Sequence, residues 1–167
     1  MDREQVLQLY DAYSDDVYRL ACSYLLDPHN AQDAVQEVFL RLLERPCAIR
    51  PGKERAFLAR VTANYCKDCL RRAKRRPPPP ENAAEPAEPD PAPGRAELRA
   101  ALDSLTPAAR AAVYLHYYAG YSAVQIARIL GVTPSGVWMR LNRARAQLRA
   151  QLKEENRDEN DVSTHDV

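Results

Sequence analysis

The side chains best placed for chemistry in this chain are cations at helical spacing, and the chemistry they suit is neutralisation of phosphate. Between Gly120 and Lys153 no Asp or Glu occurs. Ser122 with Gln125 reads as a capping box, Gly131 marks a turn, and Thr133-Pro134 opens a further helix. A short capped helix, a turn and a second capped helix have the spacing of a helix-turn-helix. The second helix sets Val137, Leu141, Ala144 and Leu148 on one apolar face. Its other positions present Ser135, Trp138, Met139, Asn142, Arg143, Arg145 and Arg149. A surface whose only charges are cationic fits a phosphate backbone and a major groove wide enough for one helix. A helical hairpin with a solvated basic face is the plainer alternative. Capping, turn and charge sign agree on DNA.

A second cationic group closes the N-terminal half. Six of the ten residues Lys67 to Arg76 are Lys or Arg, more than a favourable interaction with a helix C-terminus requires. Arg60, Asn64, Lys67 and Arg71 fall on one stripe, with Asn64 able to pair with a base edge. Upstream, Asp33, Gln36, Glu37 and Leu40 form a stripe of the opposite sign on the preceding helix. It would repel DNA and suit a basic protein partner, although a solvated face accounts for it equally well. Cys66 and Cys69 have no second pair at zinc-site spacing, and His29, His116 and His165 are scattered. Buried or half-buried thiols are the expectation, with no metal and no cofactor. No Gly-rich phosphate loop, Gly-x-Ser-x-Gly or His-Glu-x-x-His motif points to an enzyme.

The elements that must position these groups follow from punctuation and periodicity. Eight of the 13 prolines lie between Pro77 and Pro93, where neither helix nor central strand survives. That segment is expected to be an extended linker, reaching at most about 50 Å at ~3.1 Å per residue. It divides the chain into residues 1–76, a linker at 77–96, residues 97–152 and a tail at 153–167. Their Lys/Arg against Asp/Glu counts are 14 to 11, 1 to 4, 7 to 2, and 2 to 6. Two basic units thus flank an acidic spacer and precede an acidic tail, which is expected to be disordered.

The fold class expected is all-α, two small helical domains joined by the Pro-rich linker. Asp2 and Gln5 cap a first helix with Tyr13, Val17, Leu20, Ala21 and Tyr24 on its apolar face. A second helix from Asn30 buries Ala31, Ala34, Val35, Val38, Phe39, Leu42 and Leu43. A third, from about Glu54 to Arg75, buries Phe57, Leu58, Val61, Tyr65 and Cys69. Beyond the linker come a short helix at Leu98–Leu105, one opened by Thr106-Pro107, and the helix-turn-helix ending near Leu152. No run of 18 apolar residues suggests a membrane span, and the charged start, Met1-Asp2-Arg3-Glu4, is unlike a signal peptide. A cytoplasmic protein is expected, consistent with four cysteines that make no disulfide scaffold.

Asp33-Ala34-Val35-Gln36-Glu37-Val38-Phe39-Leu40-Arg41-Leu42 resembles region 2 of extracytoplasmic-function (ECF) sigma factors, small members of the sigma-70 family. Phe57-Leu58-Ala59-Arg60-Val61-Thr62-Ala63-Asn64 with Asp68-x-x-Arg71-Arg72 is similar to their promoter-melting helix. Leu102-x-x-Leu105-Thr106-Pro107-x-x-Arg110, Gly120-Tyr121-Ser122, Ile126-Ala127-x-x-Leu130-Gly131-Val132 and Arg140-Leu141-Asn142-Arg143-Ala144-Arg145 are similar to region 4. The resemblance covers about residues 4–76 and 97–152, and it implies a non-enzymatic subunit that directs core RNA polymerase to promoters. Asp33, Gln36, Glu37 and Leu40 would dock on the β′ clamp helices, with the β subunit also in contact. Arg60, Asn64, Lys67, Arg71 and Arg72 would capture the melted −10 element. Ser135, Gly136, Trp138, Met139, Asn142, Arg143 and Arg145 would read the −35 element. The acidic linker would thread polymerase channels and bridge elements about one and a half turns apart, at ~34–36 Å per turn. An anti-sigma factor is a further implied partner.

Where the family commonly has Gly-Thr-Val-Lys-Ser, this chain has Ser135-Gly136-Val137-Trp138-Met139. Trp138 therefore either touches thymine methyl groups or packs on another protein surface. A stand-alone helix-turn-helix regulator with an N-terminal interaction domain is the competing reading.

Overall fold

In the computed structural model, which describes residues 1–76 and 95–162, every regular element is helical. Helices α1 (Arg3–Leu25), α2 (Pro28–Glu44) and α3 (Glu54–Arg75) form the N-terminal unit. The C-terminal unit comprises α4 (Arg95–Asp103), α5 (Pro107–Val113), a π-helical turn (Tyr114–Tyr118), α6 (Ala123–Leu130) and α7 (Pro134–Val162). The linker expected over 77–96 lies outside the described residues up to position 94, and Arg95 already belongs to α4.

Local chemistry sets these boundaries. Gln5 N–H donates to Asp2 Oδ1 (2.8 Å) while Asp2 N–H donates to Gln5 Oε1 (2.9 Å), the reciprocal bonds of a capping box. Leu26 ends α1 in the left-handed region at φ 57°, its N–H bonded to Cys22 O. Asp27 then caps α2, accepting from His29 N–H at 2.8 Å with Pro28 in the first turn. The helix therefore begins two residues before the Asn30 start read from the sequence. Thr106 caps α5 and Ser122 caps α6, the latter through a second capping box with Gln125. Replacing Ser122 with Ala is expected to lower stability by about 1 kcal/mol. The measurement is a urea midpoint, and an unchanged midpoint would discount the cap.

The two units share one core. Leu20, Ala21 and Tyr24 of α1 and Ala59, Ala63 and Cys66 of α3 join Ala111, Leu115, Ile126, Leu130, Val137 and Leu141 in a single buried cluster. A second cluster, with Val17, Val35, Val38, Phe39 and Leu58, is internal to the N-terminal unit. This arrangement corrects the expected face of α3. Leu58, Ala59, Thr62, Ala63 and Cys66 are its buried residues, whereas Phe57, Val61, Tyr65 and Cys69 are only half-buried. The helix is covered on two sides, by α1 and by α6, and its small residues face the close contact with the second unit. Leu43, expected in the core, is 44% exposed, because α2 meets neighbours only along Ala31, Ala34, Val35, Val38, Phe39 and Leu42. Val6, not anticipated, is buried on α1. Helix α7 continues to Val162, so positions 153–162 of the tail expected to be disordered are helical; 163–167 lie outside the described residues.

Candidate nucleic-acid interface

The outer face of α7 is defined by what its inner face buries. Val137, Leu141 and Ala144 are at most 1% exposed, and Leu148 is half-buried. Ser135, Trp138, Met139, Asn142 and Arg143, at i, i+3, i+4, i+7 and i+8, consequently point outward together. The turn that aims them is held by Gly131 in the left-handed region, φ 69°, and by Val132 N–H bonded to Ala127 O at 3.0 Å. Thr133 caps α7, its Oγ1 accepting from Gly136 N–H at 3.1 Å. A Cβ at position 136 would also lie 3.1 Å from that hydroxyl oxygen, so the glycine lets the cap sit tight over the helix end. The Trp138 ring packs edge-on against His116 of the same chain at 5.8 Å and stays 46% exposed. His116 is fixed in turn by Nδ1, 3.1 Å from Tyr121 O. Arg145 is turned aside, donating from Nε to the Tyr117 hydroxyl with its guanidinium 5.4 Å over that ring.

On α3, Arg60, Asn64, Arg71 and Arg72 are exposed. Arg71 shares its charge with Asp68 at 3.2 Å, an exposed pair of little energetic weight. Lys67 does not stand free with them. Its ammonium donates to the carbonyl of Leu130, the last residue of α6. Burial, then Arg140 and Arg71, hold its pKa below the ordinary lysine value.

The stripe on α2 is open. Asp33, Gln36 and Leu40 are exposed, Leu40 by 49%, and half-buried Glu37 pairs with Arg41 at 3.0 Å. Cys66 is buried and its thiol is pushed up to about 12 by that burial, and all four cysteines are free. Such a thiol is inert packing. Three further residues, to which the sequence reading gave no role, tie the units together. Arg110 of α5 is 7% exposed, and its Nε donates to Ser23 O (2.7 Å) and Nη2 to Tyr24 O (3.2 Å) at the end of α1. Arg55 of α3 bonds Asp16 (2.7 Å) and Ala119 O (3.2 Å), and Arg19 meets the Tyr118 hydroxyl. The sequence signal for Arg110 was its place in the region 4-like motif, one turn inside the Thr106-Pro107 start. Beside them runs an apolar groove of about 880 Å³, lined by Leu26, Leu98, Leu102, Tyr117, Tyr118 and Leu148 among others.

The geometry defines a class: an all-helical protein of two units, with a helix-turn-helix in the second, an acidic stripe on α2 and cationic faces on α3 and α7. Residues 9–76 match the family described as Sigma-70 region 2, and residues 95–148 match Sigma-70, region 4. The chain is 38% identical over 156 residues to the ECF RNA polymerase sigma factor SigE of Mycolicibacterium smegmatis, spanning 87% of itself and 60% of that relative. It is 34% identical over 158 residues to the ECF RNA polymerase sigma factor SigL of Mycobacterium tuberculosis, spanning 87% of itself and 88% of that protein. The fold matches the sigma factor RpoE of Bartonella quintana, solved with the anti-sigma factor NepR, at TM-score 0.73 and 22% identity, over 90% of this chain and 98% of that one. The chain belongs to the ECF sigma factors of the sigma-70 family. No helix among the described residues is long and apolar enough to cross a membrane.

Proposed function

We propose that this chain is a sigma factor that binds core RNA polymerase and directs it to promoters. One observation carries the reading. A single chain presents, over the first five turns of α7 (134–152), an outward face without an acidic residue and, on α2, an acidic stripe that DNA would reject. A DNA-binding regulator acting alone has no use for the second surface. A factor delivered by another protein needs both. Asp33, Gln36, Glu37 and Leu40 form the polymerase-docking face. Arg60, Asn64, Lys67, Arg71 and Arg72 hold the melted −10 strand, where unstacking costs a few kcal/mol that base capture and phosphate contacts must offset. Ser135, Gly136, Trp138, Met139, Asn142 and Arg143 face the −35 major groove, with Arg145 beside them through Tyr117. The functional units are 1–76 and 97–152, and the working compartment is the cytoplasm. An anti-sigma factor is a further partner, supported by the NepR complex of the Bartonella relative.

Run-off transcription with core polymerase and a promoter library tests the proposal. Defined start sites that appear only when the chain is added are expected. Tight binding to duplex DNA without polymerase, and no transcript with it, would end the reading.

A further inference from the structure

Lys67 belongs to the −10 stripe by sequence, yet here it holds the C-terminal unit. The Leu130 carbonyl that it caps is one of the last-turn acceptors of α6, which have no partner inside their own helix. A cation there also suits the negative end of the helix. One ammonium cannot sit in that half-buried contact and lie along a DNA backbone at once. Arg110 and Arg55 act across the same boundary through main-chain carbonyls, Ser23 and Tyr24 for the first and Ala119 for the second. The closed arrangement is therefore latched by cations donating to carbonyls, and one of those cations doubles as a proposed DNA contact.

Distance gives an independent argument. Helix α3 packs on α6, and α6 packs on α7. Packed helices lie about 8–10 Å apart, so the axes of the −10 and −35 helices pass within about 20 Å of each other, and Lys67 touches Leu130 only five residues before Ser135. Promoter elements one and a half turns apart are separated by about 50 Å. The closed chain cannot engage both.

We infer that Lys67 has two mutually exclusive partners, the Leu130 carbonyl and a nucleic-acid phosphate, so that capture of single-stranded DNA and separation of the two units are one coupled event. The inference rests on the proposed −10 role of α3. Arg140 and Arg71 crowd the closed-state ammonium with like charge, and a phosphate arriving at the stripe relieves that repulsion. By reciprocity, whatever loosens the latch tightens strand binding by the same factor.

The test uses the full chain, labelled for energy transfer at Asp11 on α1 and Val124 on α6, both exposed. The probe is a randomised single-stranded DNA 12-mer. Transfer is expected to fall as the 12-mer binds. Arg55→Ala, which removes the bonds to Ala119 and Asp16, is expected to lower transfer before DNA is added and to tighten binding about five-fold. That sign is diagnostic, because losing a cation would otherwise weaken DNA binding. Lys67→Gln is expected to lower transfer as well but to weaken binding. Constant transfer during binding, unchanged or weaker binding by Arg55→Ala, or no binding by either protein would overturn the inference. Run-off transcription by the same preparations separates the two levels. Transcripts alongside any of these failures leave the sigma reading standing and remove only the coupling, whereas absent transcripts alongside a working coupling remove the sigma reading.

Discussion

Asp33→Arg combined with Glu37→Arg is expected to abolish the association with core RNA polymerase, lowering affinity by at least about 100-fold while the protein stays folded. Both side chains lie on the outward stripe of α2, and Asp33 makes no ion pair among the described residues. Glu37 pairs with Arg41 one turn on, and losing an exposed pair of that kind costs about 0.3–0.5 kcal/mol. The apolar positions of α2, from Ala31 to Leu42, are untouched, so the fold has little reason to respond. The partner surface has every reason. Reversal would set four units of charge change against the basic partner face proposed above, and like-charge juxtaposition costs several kcal/mol. At about 1.4 kcal/mol per tenfold, two orders of magnitude need only about 3 kcal/mol. Fluorescence anisotropy of labelled protein titrated with core polymerase measures the loss, with circular dichroism as the folding control. Binding that survives in a folded variant would remove this stripe from the docking surface. Leu40, 49% exposed amid the charges, would supply the apolar centre of such a contact.

What could be read from the sequence, and what could not, divides along a physical line. Caps and turns depend on a few adjacent residues, and Asp2 with Gln5, Thr106 with Pro107, Ser122 with Gln125, and Gly131 all behave as their types require. The outward face of α7 was equally legible, because Val137, Leu141 and Ala144 fix its phase without reference to anything distant. The face of α3 was not. Periodicity marks large apolar residues, so Phe57, Val61 and Tyr65 stood out, while Ala59, Ala63 and Cys66 carry weak hydrophobic signal. Their burial comes from close approach of α6, about 60 residues downstream and beyond the Pro-rich segment. Lys67 and Arg145 illustrate the same limit. Charge and spacing mark both as DNA contacts, but the Leu130 carbonyl and the Tyr117 ring that engage them are set by tertiary packing. A buried arginine such as Arg110 is the extreme case, since a lone cation in a helix ordinarily signals solvent exposure.

Arg110→Ala should accordingly produce the largest loss of stability of any single polar substitution considered for this chain. Its guanidinium donates to four main-chain carbonyls: Ser23 (2.7 Å) and Tyr24 (3.2 Å) in the N-terminal unit, Asp103 (3.1 Å) and Leu105 (2.9 Å) in its own. Burial lowers its pKa, with Asp103 opposing, but an arginine remains cationic at any working pH. Alanine would leave those carbonyls without their donors and open space where the side chain lay. The expected cost is about 3–5 kcal/mol. With an m-value of about 1–3 kcal/mol/M, the urea midpoint should fall by at least about 1 M. The even split of the bonds makes a second readout possible. Arg110→Lys keeps the charge but cannot reproduce a planar fork, so it should retain part of the stability and lose chiefly the bonds across the boundary. If the shared core makes the two units unfold together, the wild-type chain shows one transition. The lysine variant should then broaden or split it, the N-terminal unit keeping its own cluster around Val38 and Leu58. A midpoint within 0.3 M of wild type for Arg110→Ala, on the same urea scale, would mean that the four carbonyls are satisfied another way and that the latch resides elsewhere.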